Sequence, residues 1–192
     1  MNDKVLLIFE DTKNLKKLTT SLLENNYAIS ICEINIKKIL QAIDHQKPDV
    51  LIFYYKEAHP EITKIVKTIQ SSAPIPITIF SDTSDNTLVS DTIINGATAF
   101  IDDGIESHRI SHIIDAAKAR FQKCQTLKQK LHDAESKLSA RKHTDRAKGI
   151  LMESKNLSED EAYKLLRSMA MNNNMRIEEL AKSLVTASTI LN

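Results

Sequence analysis

The sequence predicts an α/β domain built on a five-stranded parallel sheet, followed by a long helix and a small helical bundle. Short apolar runs alternate with segments of helical periodicity over residues 1–120, which is the pattern of a sheet covered by helices on both faces. No proline or glycine interrupts residues 105–148, and this favours one long helix. Two further amphipathic segments follow, so the C-terminal part is expected to be a three-helix bundle.

Five buried runs supply the predicted strands. Each run is short, apolar and continuous, as expected where both faces of a parallel sheet are covered. The runs are residues 5–9, 29–31, 50–53, 75–80 and 99–101. Apolar residues at helical spacing begin near Leu15, Ile36, Ile62 and Leu88, and they predict one helix after each of the first four strands.

The charge of the chain is divided unevenly. The 192 residues carry a net charge of +1. Residues 1–120 hold 13 Lys and Arg against 16 Asp and Glu, which gives −3, and residues 121–192 hold 13 against 9, which gives +4. A more basic second half is typical of a nucleic-acid-binding domain, although ordinary fluctuation produces the same balance.

Composition argues against several other classes of protein. No apolar run approaches the roughly 18–20 residues that span a membrane, and the N-terminus lacks the features of a signal peptide, so a cytoplasmic protein is expected. Cys32 and Cys124 are far apart and lack neighbouring histidines, which argues against a metal site or a disulfide. No nucleophile–base pair or glycine-rich phosphate loop stands out, so we expect neither an enzyme nor a cofactor.

A narrow apolar stripe follows the long helix. Its spacing after Ile114 alternates between three and four residues, with one irregularity near Cys124, and so approaches a coiled-coil seam. Such a stripe predicts a homodimer, and the alternative is a helix folded back on its own α/β domain. The predicted seam residues are Ile114, Ala117, Phe121, Cys124, Leu127, Leu131 and Leu138.

Local signals divide the C-terminal bundle into three helices. Asn156 is suited to end the long helix in a left-handed turn. Ser158 and Glu161 have the spacing of a capping box, which fixes the start of the next helix. Residues 172–174 are three asparagines, and they predict the turn before the last helix.

Basic side chains remain outside the predicted core of this bundle. Guanidinium and ammonium groups bind phosphates, and arginine also stacks on splayed bases; a solvated charged face is the alternative. Gly149 lies in mid-helix, where glycine costs about 1 kcal/mol relative to alanine, and this indicates a close approach of a packed helix or of RNA. The candidate RNA-binding residues are Arg141, Lys142, Arg146, Lys148, Gly149, Lys164, Arg167 and Arg176.

The first 120 residues resemble the receiver domain of response regulators. The segments KPDVLIF, PIPITIFSD and NGATAFIDDG stand where receivers carry their third, fourth and fifth strands. The resemblance implies a flavodoxin-like fold. Receivers use an aspartate nucleophile after strand three, carboxylates after strand one that hold Mg²⁺, and a lysine after strand five.

This chain departs from the receiver pattern at two positions. Tyr54 occupies the aspartate position, and a phenol with a pKa of about 10 does not replace a carboxylate nucleophile. Asp103 occupies the lysine position, whereas Ser81 keeps the hydroxyl group after strand four. We therefore expect a pseudo-receiver that accepts no phosphate. The neighbouring carboxylates are either a vestigial metal site or solvated groups at helix starts, and they are Glu10, Asp11, Asp102 and Asp103.

The C-terminal part resembles the ANTAR domain, a three-helix module that binds RNA hairpins and prevents transcription termination. The resemblance rests on AKGILM at residues 147–152, then SEDEAYKLLRSMAM at residues 158–171, then a short third helix. It implies a pseudo-receiver over residues 1–120, a coiled-coil-like connecting helix over 121–140 and an ANTAR domain over 141–192.

The whole chain is similar to the nitrate- and nitrite-responsive antiterminators of the NasT type, a group related to AmiR. This similarity implies a protein that binds a two-hairpin leader RNA and is held inactive by a sensor partner resembling a solute-binding protein. A DNA-binding response regulator is the alternative. The last helix, RIEELAKSLVTAS, offers few basic or amide side chains to a DNA major groove.

Overall fold

The computed structural model describes residues 3–9, 15–57, 61–83, 86–101 and 107–191. Its first part is a parallel sheet made of β1 (Lys4–Phe9), β2 (Ala28–Glu33), β3 (Val50–Glu57), β4 (Ile77–Thr83) and β5 (Ala99–Ile101). The strand order is β2-β1-β3-β4-β5. This order, with helices between successive strands, confirms the receiver-like α/β fold.

Three helices cover one face of the sheet. They are α2 (Ile36–Gln46), α3 (Glu61–Ser72) and α4 (Asn86–Ile94). Each of these helices contributes buried residues to an apolar cluster that includes the sheet residues Leu51 and Phe53. The helix residues include Ile39, Val66 and Leu88.

The opposite face is covered by α1 (Leu15–Glu24) and by the start of α5 (Ile110–Lys155). Leu18 of α1 and Ile114 of α5 share a buried cluster with the sheet, and Ala117 is also fully buried. The sequence placed Ile114 and Ala117 in a dimer seam. The structure corrects this, because both side chains already belong to the interior of their own chain.

The third strand extends further than the sequence predicted. It continues to Glu57, three residues beyond Tyr54, whereas the apolar run had suggested an end at Phe53. Tyr54 is paired with Phe9 of β1 and Phe80 of β4, so it lies inside the sheet and not at its edge. The tyrosine side chains extend the strand because they are buried in the two apolar layers.

The chain divides into two compact units, residues 1–125 and 126–192. The continuous long helix is confirmed as α5, and α6 (Glu159–Asn172) and α7 (Ile177–Leu191) follow it in the second unit. The finer boundaries at residues 120 and 140 stay a prediction. Among the described residues, no helix has the length and apolar character needed to cross a bilayer.

One buried hydroxyl group gives a test of this packing. Thr78 of β4 is fully buried, and its Oγ1 has no hydrogen-bond partner among the described residues. We predict that Thr78→Val raises the free energy of unfolding by about 1–2 kcal/mol, because an unpaired buried hydroxyl costs more than the methyl group that replaces it.

The measurement is urea denaturation followed by circular dichroism, and the matched control is Thr98→Val. Thr98 Oγ1 accepts a hydrogen bond from the Ile77 N–H at 3.1 Å. Its loss should therefore destabilise the fold by about 1 kcal/mol. Equal destabilisation by both substitutions would mean that the Thr78 hydroxyl is paired in solution.

Candidate nucleic-acid interface

Small residues bring the three helices of the second unit together. Ala147 of α5, Ala162 and Ala170 of α6, and Ala181 of α7 are almost fully buried in one apolar cluster. Alanine lets helix backbones approach closely, and larger side chains fill the spaces between the contacts. The larger members of the cluster are Leu151, Leu166, Leu180 and Val185.

The predicted boundary between α5 and α6 is confirmed. Asn156 has a φ of 52°, the left-handed conformation that ends a helix. The Ser158 hydroxyl accepts a hydrogen bond from the Glu161 N–H at 3.4 Å, and the Glu161 carboxylate accepts one from the Ser158 N–H at 2.9 Å. Hydrogen bonds from the Ser158 hydroxyl and N–H lower the pKa of Glu161. This reciprocal capping box fixes where α6 begins.

Lys148 joins α5 to α6. Its Nζ lies 2.9 Å from Asp145 Oδ1 on the same helix and 2.7 Å from Glu159 Oε1 on α6, and only 16% of the side chain is exposed. Its hydrogen bond to the Asp145 carboxylate raises the pKa of Lys148, and the hydrogen bond to Glu159 raises it further. The sequence assigned Lys148 to RNA binding, whereas the structure gives its charge two carboxylate partners inside the protein.

The other predicted RNA-binding cations lie on the surface of the bundle. Arg141 is exposed and has a long contact of 3.9 Å with Asp145. The others are exposed, and none of them has an ion pair among the residues that the structure describes; they are Lys142, Arg146, Lys164, Arg167 and Arg176. Their charges are therefore available to an anionic ligand, unlike the charge of Lys148.

A row of exposed side chains on α6 was not recognised as a unit from the sequence. Tyr163, Arg167 and Met171 follow one another at intervals of four residues, and Lys164 lies beside them. Residues four apart share one face of a helix. Aromatic rings and guanidinium planes are surfaces on which unstacked RNA bases stack. The four-residue spacing was the sequence signal that would have found this row.

The middle of α5 carries apolar side chains that its own chain does not cover. Leu127, Leu131 and Leu138 are 57%, 60% and 71% exposed. Cys124 is also exposed, and Phe121 is half-buried. The alternative in which the chain folds back to cover this stripe does not hold for the three leucines.

Gly149 faces open space. A Cβ atom placed there would meet no atom within 4 Å outside its own helix. The sequence had suggested that either a packed helix or RNA approaches this glycine. The structure excludes a packed helix among the described residues, since no atom of another helix lies within 4 Å of a Cβ placed at Gly149.

In the receiver-like unit, the position at which receivers carry the phosphorylated aspartate is occupied by the buried Tyr54. The Tyr54 hydroxyl donates a hydrogen bond to Asp82 Oδ2 at 2.9 Å, and the tyrosine is only 1% exposed. Asp82 follows the buried Ser81 on β4 and was not noticed from the sequence. The described residues contain no group of three or more His, Cys, Asp or Glu that could hold a metal ion. The carboxylates suggested as a vestigial site lie outside the described residues, and they are Glu10, Asp11, Asp102 and Asp103.

Comparison with known families identifies the second unit. Residues 132–185, which include the second half of α5, all of α6 and most of α7, match the ANTAR domain. The chain carries an ANTAR domain. Together with the receiver-like first unit, this gives it the organisation of an ANTAR-domain response regulator.

Two curated relatives are regulatory proteins. The chain is 25% identical over 181 residues to the transcriptional regulatory protein PdtaR of Mycobacterium tuberculosis, covering 92% of this chain and 87% of that protein. It is 28% identical over 89 residues to the nitrate regulatory protein of Klebsiella oxytoca, covering 46% of this chain but only 22% of that protein. The similarity to PdtaR thus extends along nearly the whole length of both chains.

Solved structures show the fold of the first unit. A CheY-like receiver domain protein from Methanospirillum hungatei superposes with a TM-score of 0.55 at 16% identity, covering 64% of this chain and 98% of that chain. NtrX from Brucella abortus gives a TM-score of 0.55 at 16% identity, covering 70% of this chain and 29% of that chain. At this level of identity, the likeness extends to the fold and not to phosphorylation.

We predict that the receiver-like unit of this ANTAR protein takes up no phosphoryl group. Tyr54 fills the acceptor position, and its hydroxyl is bonded to Asp82. After incubation with acetyl phosphate and Mg²⁺, intact-mass measurement should show an unmodified chain, while a receiver with an acceptor aspartate is modified in parallel. A labile adduct that maps to Glu10, Asp11 or Asp82 would contradict the prediction.

Proposed function

We propose that this chain is a transcription antitermination regulator that binds hairpins in nascent leader RNA. The observation that carries the proposal is the exposed row on α6, in which Tyr163, Arg167 and Met171 are flanked by Lys164, within a unit that matches the ANTAR domain. The cations supply phosphate contacts, which dominate affinity. The tyrosine ring and the guanidinium plane supply surfaces for splayed loop bases.

DNA binding is the competing function, and the surface of α7 argues against it. A recognition helix places its N-terminal residues against base edges in the major groove. The first turn of α7 carries Glu178 and Glu179, both exposed, and their charges repel phosphates. The exposed side chains further along include a single cation, Lys182, within the described part of the helix.

The proposal includes a homodimer formed through α5. The exposed leucines Leu127, Leu131 and Leu138 are spaced by four and seven residues, as in a coiled-coil seam. Phe121 and Cys124 continue the same stripe at the end of the first unit. A dimer would present two ANTAR domains at once, which suits a leader RNA with two hairpins.

The proposal also includes control by a partner instead of by phosphorylation. The Tyr54–Asp82 bond closes the position through which receivers are normally switched. A ligand-sensing partner that resembles a solute-binding protein would then hold the regulator inactive in the cytoplasm. The similarity to a nitrate regulatory protein supports nitrate or nitrite assimilation as the process that is controlled.

We predict that Arg167→Ala weakens binding to a two-hairpin leader RNA while the circular dichroism spectrum stays unchanged. If Arg167 contacts a phosphate, the slope of log affinity against log salt should fall by about 0.7–0.9. If it contacts a loop base, discrimination against a mutated loop should be lost instead. Gel-shift titration at several salt concentrations, with duplex DNA as competitor, measures both.

Lys148→Ala is the matched control for Arg167→Ala. Because Lys148 is paired with Asp145 and Glu159, its removal should lower the melting temperature and leave the salt slope unchanged. Parental RNA affinity in the Arg167 variant would mean that the face is misassigned. A parent protein that prefers duplex DNA would refute antitermination.

We predict that Leu131→Asp shifts the protein toward monomer. An unpaired carboxylate buried in the seam costs several kcal/mol, and a two-fold seam buries it twice. Sedimentation equilibrium of the full chain measures the shift, with Ser136→Asp as control, because Ser136 is exposed on another side of α5. A dimer that persists in the Leu131 variant would place the interface elsewhere.

A further inference from the structure

A cavity of about 480 Å³ lies in the first unit, at the edge of the sheet where β3 and β4 begin. Its walls are the turn before β3, the turn before β4 and the part of α5 around Phe121. Sheets of this kind usually hold their ligands beyond the carboxyl ends of the strands, so this cavity is separate from the receiver phosphorylation position. Its volume falls within the roughly 300–1,000 Å³ that suits a small organic ligand.

The walls of this cavity are fixed by the fold itself. Three prolines set the backbone of the two turns, because the proline ring restricts φ. Gln70 Nε2 donates a hydrogen bond to the Ile75 carbonyl at 2.6 Å, and the Lys4 N–H donates one to Asp49 Oδ2 at 2.7 Å. A cavity that is already formed loses little freedom on binding, and this favours affinity. The prolines are Pro48, Pro74 and Pro76.

Lys47, an exposed residue of the cavity lining, has a backbone conformation that lysine rarely adopts. It ends α2 with a φ of 48°, in the left-handed region. Asparagine and glycine tolerate this region best. Holding a lysine there costs conformational energy, which favours a role for its charge. Every other non-glycine residue with positive φ in the described ranges is an asparagine, and these are Asn26, Asn156 and Asn174.

The described lining offers one cation and one anion that do not neutralise each other. Lys47 Nζ has neither an ion pair nor a hydrogen bond among the described residues. Asp49 has no ion pair with them either, and one of its carboxylate oxygens accepts the Lys4 N–H. The remaining charge of the lining is already balanced, because Lys118 Nζ lies 2.6 Å from Asp3 Oδ2. Lys47 and Asp49 are therefore the charges that a ligand can meet.

We propose that this cavity binds a free α-amino acid with an apolar side chain. The ligand carboxylate pairs with Lys47 Nζ and the ligand ammonium pairs with Asp49. The apolar side chain of the ligand lies against Ile43, Ile75 and Phe121. A zwitterion matches one cation and one anion, whereas a simple carboxylate brings a like charge toward Asp49. The site gives the receiver-like unit a small-molecule ligand of its own, and it does not depend on RNA binding.

Isothermal titration calorimetry of the full chain with L-phenylalanine and L-leucine tests the site. Three further probes each lack one part of the ligand: 3-phenylpropionate has no ammonium group, 2-phenylethylamine has no carboxylate, and glycine has no apolar side chain. The first two should bind at least about tenfold more weakly than L-phenylalanine, because each loses a hydrogen bond between charged groups. Glycine should show no detectable binding, because burial of the apolar side chain supplies much of the affinity.

Two substitutions assign the contacts. Lys47→Asn should leave the fold stable, since asparagine suits the left-handed conformation. It should weaken binding of L-phenylalanine by about tenfold and leave the affinity for 2-phenylethylamine unchanged. Asp49→Asn should also weaken binding of L-phenylalanine, but it should not weaken binding of 3-phenylpropionate. The control is Lys37→Gln, an exposed lysine of α2 outside the lining, and it should change none of these affinities.

Several results would overturn the inference. One is that neither amino acid binds with a dissociation constant below about 1 mM. Another is equal affinity for L-phenylalanine and 3-phenylpropionate, because the ammonium group would then have no partner. Binding that survives both Lys47→Asn and Asp49→Asn unchanged would place the ligand elsewhere. Antitermination is judged separately by the RNA titration of the parent chain, so failure of either proposal is distinguishable from failure of the other.

Discussion

The apolar periodicity of α5 is the constraint on which the rest of the structure depends. Its first turns bury Ile110 and Ile114 in the receiver-like unit, and its last turns bury Ala147 and Leu151 in the ANTAR domain. Between these contacts, Leu127, Leu131 and Leu138 are exposed in their own chain. Burying one leucine side chain is worth roughly 1.5–3 kcal/mol, so this segment favours contact with another helix over exposure to water.

Burial of side chains also explains the altered receiver site at Tyr54. Receivers keep a carboxylate at the end of strand three, where it must remain charged and reachable. Here Tyr54 extends the strand, and its ring joins the apolar layer beside Phe80 while its hydroxyl is bonded to Asp82. A phenol tolerates this burial because it is neutral and needs only one partner. The receiver-like fold is present, but Tyr54 does not supply the carboxylate that receivers use at this position.

Local features were predictable from the sequence, whereas features that depend on distant residues were not. The strand runs, the left-handed Asn156 and the capping box at Ser158 follow from a few neighbouring residues, and the structure confirms them. Periodicity could not separate the buried Ile114 from the exposed Leu131, because both obey one spacing. Nor could it reveal that Lys148 meets Glu159, since that contact exists only once two helices have packed.

The positions of the ANTAR signature residues show why a sequence motif is an incomplete guide to a binding surface. Within AKGILM, Ala147 and Leu151 lie in the core, and Lys148 holds α6 through Glu159. Gly149 faces away from that core. Most residues of this motif therefore determine how the helices of the bundle pack and do not form a binding surface. Arg167 and Tyr163 of α6 are exposed, because Ala162, Leu166 and Ala170 form the side of that helix that faces the core.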